Sequence, residues 1–159
     1  MNAKKKSEPG ELLVCRNPKA EHNFDVEERL EAGIVLSGSE VKSLRAKHAN
    51  LEGAYATVEG GELWLIHMHI GPYKQAGQFG HDERRRRKLL AHKHEIERVA
   101  GRIATRGYAL VPARVYFKNG RAKAELVLGK GRKVHDQRET IKRELDLKEA
   151  RAAMSSRKH

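Results

Sequence analysis

The sequence predicts a mainly β domain: about six short antiparallel strands closed into a barrel, about two or three helices, and a flexible C-terminal tail. Three observations predict it. Short apolar runs, several alternating in period two with charged neighbours, fill the chain as far as Gly129. Two pairs that tolerate positive φ, Gly60-Gly61 and Asn119-Gly120, sit between such runs, where a tight hairpin turn needs them. Beyond Gly129-Lys130-Gly131 the pattern changes to a charged stretch with few apolar positions.

Composition bounds the rest. The chain has 159 residues, one ordinary domain plus room for a tail, and Lys+Arg 33 against Asp+Glu 21 gives a net charge of +12. Hydrophobic residues are 38% and aromatics 5%, so a small core fits part of the chain only. No apolar run is long enough to cross a bilayer, and no apolar stretch follows the basic start Met1 to Lys6, which argues against a signal peptide. The single cysteine, Cys15, excludes an internal disulfide framework and a multi-cysteine zinc site. The expected class is a soluble, basic, cytoplasmic protein whose partner is a polyanion, with nucleic acid leading.

In chain order, residues 1–11 form a basic arm with Lys4, Lys5, Lys6, Pro9 and Gly10 and no apolar period. Residues 12–130 form the barrel, with regular structure starting near Leu12 to Val14. Phe24, Val26, Glu28, Leu30 and Ala32 alternate with charged neighbours as a half-buried strand, which Gly33 interrupts before Ile34 to Leu36. Ser37 and Glu40 have capping-box spacing, and Val41 and Leu44 share a face, so a short helix runs to about Ala46. Two strands follow, at Ala54 to Val58 and Leu63 to Ile70, joined by the glycine pair. Asp82 is placed to cap a long helix reaching about Arg106, with Leu89, Ile96, Val99 and Ile103 as its stripe and Gly107 as its stop. The last strands, Leu110 to Phe117 and Arg121 to Leu128, flank Asn119-Gly120. Closing such a sheet removes its exposed edges, and a barrel of the oligonucleotide-binding (OB-like) type is the economical architecture.

A two-residue turn at Asn119-Gly120 fixes a register. Phe117 faces Ala122 and Val115 faces Ala124 on the core side, while Lys118 by Arg121, Tyr116 by Lys123 and Arg114 by Glu125 face outward. A basic sheet face carrying a tyrosine suits phosphate contact with base or sugar packing; a plain solvated face is the other reading. The run Arg84-Arg85-Arg86-Arg87-Lys88 falls in the first turns of the expected helix, where the macrodipole already disfavours cations, so an RNA backbone explains it better than solubility does. Nine histidines raise a metal hypothesis, with His67 and His69 on one side of a strand and His92, His94 and Glu95 close together. No HExxH pattern and no phosphate-binding loop occur, Cys15 has no clear histidine partner, and neither a cofactor nor catalysis is expected. Residues 131–159 form the tail. Ile141 and Leu145 lie four apart, and Glu139–Arg143 and Glu144–Lys148 are favourable helical pairs, yet the stripe is too thin to dock firmly. Such a segment is disordered when free and becomes helical on a charged partner.

The stretch Phe24 to Asn50, with Glu31-Ala32-Gly33, Ser37-Gly38-Ser39-Glu40-Val41-Lys42-Ser43-Leu44-Arg45-Ala46 and Ala49-Asn50, closely resembles the SsrA-binding protein (small protein B) family of bacterial trans-translation. So do Arg87-Lys88-Leu89-Leu90, Leu110-Val111-Pro112 through Tyr116-Phe117-Lys118-Asn119-Gly120, and Gly129-Lys130-Gly131-Arg132-Lys133, in order over nearly the whole chain. The resemblance implies an RNA-binding adaptor, not an enzyme. It would bind the tRNA-like domain of transfer-messenger RNA and deliver it to stalled ribosomes for peptide tagging and rescue. The tail would reach the decoding centre and the empty message channel, and elongation factor Tu with GTP would be engaged indirectly through the charged RNA.

Residue by residue, Glu31, Leu90 and His92 match family RNA-binding positions. Where the family residue is asparagine, His92 is a departure, although either side chain donates and accepts hydrogen bonds. His22, Arg45, Arg87, Lys88, Tyr116, Lys118, Arg121 and Lys123 complete the expected RNA-binding set. In the tail, Gly131, His135, Asp136 and Arg138 match positions that act on the ribosome, with Lys133, Ile141 and Leu145 beside them, and Gln137 replaces the lysine of the usual Asp-Lys-Arg. The alternatives are a structural ribosomal or general RNA-binding protein, present on every ribosome, and a metal-dependent hydrolase using the histidines.

Overall fold

The computed structural model describes residues 10–74, 80–131 and 145–153. Glu11–Arg16 is β1, Pro18–His22 is α1 and Phe24–Ile34 is β2, the alternating strand of the sequence, which runs through Gly33 without a break. Gly38–Arg45 is α2. Ser37 caps it by accepting from the Glu40 backbone N–H, while the Glu40 carboxylate accepts from the Ser37 N–H at 2.9 Å, the expected reciprocal box. Ala49–Asn50 (β3) pairs with His69–Ile70 (β6), a small separate sheet. Tyr55–Glu59 (β4) and Glu62–Ile66 (β5) form a hairpin over Gly60 and Gly61, at φ 60 and 76°. Arg87–Leu90 is β7, Lys93–Ile103 is α3, and Tyr108–Lys118 (β8) and Arg121–Gly131 (β9) form the last hairpin over Asn119 and Gly120, at φ 52 and 77°.

The main sheet runs β1-β8-β4-β5-β7-β2-β9, and β8 also pairs β9, so the last six strands close a ring with β1 added on the β8 edge. All pairings are antiparallel. This is the six-stranded barrel of oligonucleotide-binding type that the sequence predicts. Its interior is filled by Leu30, Leu63, Leu65, Leu89, Leu110, Val115, Leu126 and Leu128, with Leu44 of α2 and Val99 of α3 plugging it. A second, smaller cluster of Ala20, Val111, Ala113 and Val127 lies under α1.

Two expected elements are wrong. The strand expected over Leu63 to Ile70 ends at Ile66: His67 takes a φ of 63° and His69–Ile70 pair in the small sheet, so His67 and His69 do not share the side of one strand. No helix spans Asp82 to Arg106: Asp82 instead accepts the Arg84 backbone N–H through its side chain at 3.0 Å, residues 87–90 are a strand, and the helix begins at Lys93. Leu89 belongs to a period-two pattern, Arg87 and Leu89 buried, Lys88 and Leu90 toward the outside, and pairs with Leu63 and Ile34. Ile96, Val99 and Ile103 remain the helix stripe against the barrel. The two elements merge in the sequence pattern because seven residues separate Leu89 from Ile96, a spacing a helix also satisfies.

The expected arm falls mostly on residues 1–9, outside the described residues, and Glu11 already belongs to β1. Of the tail, residues 132–144 and 154–159 lie outside them too, while 145–153 are helical with exposed side chains.

Candidate nucleic-acid interface

The register read from the Asn119-Gly120 turn holds residue for residue: Phe117 opposite Ala122, Tyr116 opposite Lys123, Val115 opposite Ala124, Arg114 opposite Glu125. Carried across the neighbouring strands, it aligns Leu90, Gly33, Lys123, Tyr116 and Leu13 in one row. The next outward row holds Glu31, Glu125, Arg114 and Arg16. Glu31, Leu90, Lys118, Arg121 and Lys123 therefore share one outer face. Gly33 keeps that face shallow: a Cβ there would stand 3.5 Å from Leu90 Cβ and 3.8 Å from Lys123 Nζ. Leu90 is 55% exposed, with exposed Val35 nearby on the chain just past β2. A half-apolar, half-cationic shelf of this kind offers phosphate contacts beside packing against a sugar or base.

His92 lies just past β7 as the N-cap residue of α3. Its backbone N–H donates to Glu95 at 3.2 Å, and its ring stacks on His94, centroids 5.6 Å apart and 13° from parallel. Lys88 points outward opposite Trp64, with Nζ 2.9 Å from Glu62. Arg45, at the end of α2, lies over the Phe117 ring at 4.6 Å, close to the hairpin that carries Lys118 and Arg121. His22 stands apart, lining a cavity of about 180 Å³ with Arg16, Pro18, Glu21, Arg114 and Glu125. Gly131 ends β9 and Leu145 is 55% exposed on the 145–153 helix; Lys133, His135, Asp136, Arg138 and Ile141 fall outside the described residues.

Two expected contacts are corrected by burial. Arg87 is 0% exposed. Its Nε donates to Glu40 at 2.5 Å, Nη1 to the Met68 and Arg85 carbonyls at 2.7 and 2.9 Å, and Nη2 to those of Glu83 and Asp82 at 3.2 and 3.4 Å. All of its donor groups are engaged inside the fold, so it braces the loop before β7 instead of meeting RNA. The basic run is thereby split: Arg85 also donates to Glu40, at 2.5 Å, Arg86 lies over the Trp64 ring at 4.2 Å and donates to Glu59, and Lys88 faces outward. Burial works to raise the Glu40 carboxyl, but the Arg85, Ser37 and Arg87 donors prevail and hold it down at about 2.

Tyr116 is the second correction. The outer face of the last hairpin is not a solvated basic sheet there: Tyr116 is 1% exposed, Arg114 and Glu125 5%. Arg114 lies over the Tyr116 ring at 4.3 Å and donates to Glu125 at 3.0 and 3.1 Å and to Glu11 at 3.0 Å. Arg29 joins Glu125 at 2.9 Å to Glu21 at 3.0 Å, so an ion network runs from the row that holds Glu31 to the cavity that holds His22. The Tyr116 hydroxyl donates to Glu31 Oε2, and Lys118 Nζ lies 3.6 Å from the same oxygen.

Sequence reasoning missed Trp64 with Arg86, and Glu40 as the partner of two arginines. Only Glu40 carried a signal, its box spacing, and that signal spoke for the helix alone. Burial pushes the Cys15 thiol up to about 11, which leaves little thiolate for nucleophilic work at neutral pH. His67 packs on Tyr55 with centroids 5.7 Å apart, and His69 meets Glu83 at 3.0 Å. Among the described residues no three His, Cys, Asp or Glu side chains converge on a metal-sized site.

The model of the SmpB protein family matches residues 14–156 of the chain. An SsrA-binding protein from Desulforudis audaxviator is 54% identical over 144 residues, covering 90% of this chain and 94% of the relative. One from Geobacter metallireducens is 50% identical, covering 93% and 97%. Among solved structures, a chain from "tmRNA-SmpB: a journey to the center of the bacterial ribosome" superimposes with a TM-score of 0.63 at 44% identity, over 74% of this chain and 82% of that one.

Proposed function

Since the chain belongs to the SmpB protein family, we propose that it binds the tRNA-like domain of transfer-messenger RNA and delivers it to stalled ribosomes for peptide tagging and rescue. The observation that carries this reading is the family match over residues 14–156, joined to relatives that are SsrA-binding proteins along almost their whole length. The protein is an RNA-binding adaptor, not an enzyme. No helix among the described residues is long and apolar enough to cross a membrane. Its place of action is the ribosome, and hence the cytoplasm.

In this reading the barrel, residues 12–130, grips the RNA, the arm 1–11 adds cationic charge, and the tail 131–159 works on the ribosome, at the decoding centre and along the empty message channel. Elongation factor Tu with GTP is met through the charged RNA. Glu31, Leu90, His92, Lys118, Arg121 and Lys123 form the main grip, with Lys88 and Arg45 beside it and His22 at a second point of contact. The shared outer face, with exposed Leu90 beside the cations of the last hairpin, supports that assignment. The tail residues Gly131, Lys133, His135, Asp136, Arg138, Ile141 and Leu145 carry the ribosomal role.

A salt-series binding measurement with the tRNA-like domain and an ordinary tRNA side by side tests the proposal. Tight binding to the first is expected, weakening steeply with salt as counterions are released. Equal affinity for both RNAs at physiological salt would sink it and favour a general RNA-binding protein.

A further inference from the structure

A carboxylate in the middle of an RNA-binding face needs a reason. Glu31 stands beside Lys118 and near Lys123 and Arg121, in a chain of net charge +12, and its side chain is 38% exposed. It repels phosphate. What it can do is accept a hydrogen bond, and RNA offers donors only at base amino and imino groups and at the ribose 2′-hydroxyl. A carboxylate discriminates among these only if its orientation is settled before the RNA arrives; otherwise rotamer freedom is lost on binding and the acceptor can turn aside.

The settling is done from underneath. Glu11 and Glu125 hold the Arg114 guanidinium, Arg114 lies over the ring of Tyr116, and the Tyr116 hydroxyl donates to Glu31 Oε2. Burial, reinforced by the Glu31 carboxylate, raises the tyrosine hydroxyl well above its usual value, so it keeps its proton and acts toward Glu31 as a donor. Among the described residues both the hydrogen bond and the ion pair of Glu31 fall on Oε2, which leaves Oε1 for a ligand. Resting on the proposed function and its RNA contact at Glu31, we infer that buried Tyr116 is a positioning residue for specificity: it touches no RNA itself but fixes Glu31 so that Oε1 selects a base or ribose hydrogen-bond donor over a phosphate. The same chain of interactions explains why an aromatic hydroxyl is buried on the outer side of a strand whose neighbours there are charged.

The experiment is a double-mutant cycle of Tyr116→Phe and Glu31→Gln in the full chain. Binding to the tRNA-like domain and to an unrelated duplex RNA is measured across a salt series, with a thermal melt of each variant. Each single change is expected to weaken the tRNA-like domain by about tenfold, the scale of one hydrogen bond. The double variant should be no weaker than Glu31→Gln, duplex affinity should not fall in any variant, and the salt slope of Tyr116→Phe should match wild type, since no phosphate-binding group is removed. A Tyr116→Phe protein that binds like wild type overturns the positioning role. So do losses that multiply in the double variant, equal losses for both RNAs, or a loss in Tyr116→Phe without one in Glu31→Gln. If Tyr116→Phe melts below the assay temperature, all variants are compared at a lower temperature at which the melt shows it folded, with the same expected loss and the same refutation. A wild-type protein that fails to prefer the tRNA-like domain sinks the proposed function itself; preference with an unaffected Tyr116→Phe sinks only this inference.

Discussion

Replacing Arg87 by methionine separates a structural arginine from an RNA-contacting one. The substitution keeps an unbranched apolar stem of similar reach and deletes the guanidinium. Glu40, itself 0% exposed, then loses its 2.5 Å partner and keeps Arg85 and the Ser37 N–H, while the Met68, Arg85, Asp82 and Glu83 carbonyls lose donors. Removing one member of a buried ion pair costs about 3–5 kcal/mol, because the charge left behind stays desolvated. That is a large part of the ~5–15 kcal/mol by which a domain is stable. It corresponds to a fall in melting temperature of roughly 10–20 °C for a domain of this size. Circular dichroism melts read the stability, and a salt series with the tRNA-like domain, at a temperature where the variant is folded, reads the binding. The control is Lys88→Met on the adjacent, outward position, where the side chain is 40% exposed. It should melt within about 1 kcal/mol of wild type while its salt slope drops by roughly 0.9, as expected when one phosphate-neutralising cation is removed. An Arg87→Met protein that melts like wild type and lowers the salt slope as Lys88→Met does would refute the buried brace and put the guanidinium against RNA.

Three further outcomes are expected. Gly129→Ala should destabilise the barrel by about 1–3 kcal/mol in urea melts, because a Cβ there would stand 2.4 Å from the Asp25 carbonyl oxygen, where β9 crosses the irregular stretch of β2; an unchanged midpoint would show that the strands part freely. The Glu40 carboxyl is held at about 2 in the fold, below its unfolded value, so its contribution is complete above pH ~4.3 and lost as pH falls toward 2. Urea melts at pH 7, 4 and 3 should register a loss of roughly 2 kcal/mol by pH 3 that Glu40→Gln does not show, and parallel pH profiles would contradict it. Deleting the chain from Asp136 onward should leave binding to the tRNA-like domain within about twofold of wild type, a small electrostatic loss, and abolish peptide tagging; lost RNA binding would refute the division of labour between barrel and tail.

The parts of the fold that were legible in the sequence are those decided by neighbours in the chain. The capping box of Ser37 and Glu40 and the hairpins at Gly60-Gly61 and Asn119-Gly120 are closed by residues within a few positions of each other, and all three form as expected. A two-residue turn also sets the register of the long strands beyond it, which is why the pairing of Tyr116 with Lys123 follows from the turn alone. Strand β7 was missed because Leu89 fits a helical spacing to Ile96 as well as a strand. Its partners, Leu63 and Ile34, are distant in sequence, so nothing local broke the tie.

The candidate site divides along the same line. Charge and turn chemistry were sufficient to indicate a basic barrel with a charged tail and to nominate Lys118, Arg121 and Lys123, since composition and short-range pattern are properties of the chain itself, whereas Glu31 and Leu90 were nominated by the family resemblance. Which cations remain outside was decided only in three dimensions. Arg87 turned inward because Glu40, 47 positions earlier, was there to receive it, and Tyr116 was buried because Glu31 lies 85 positions away across the sheet. Desolvating a charge or a hydroxyl is costly unless a partner stands within hydrogen-bonding distance, and for these two residues the partner is brought there by barrel closure alone.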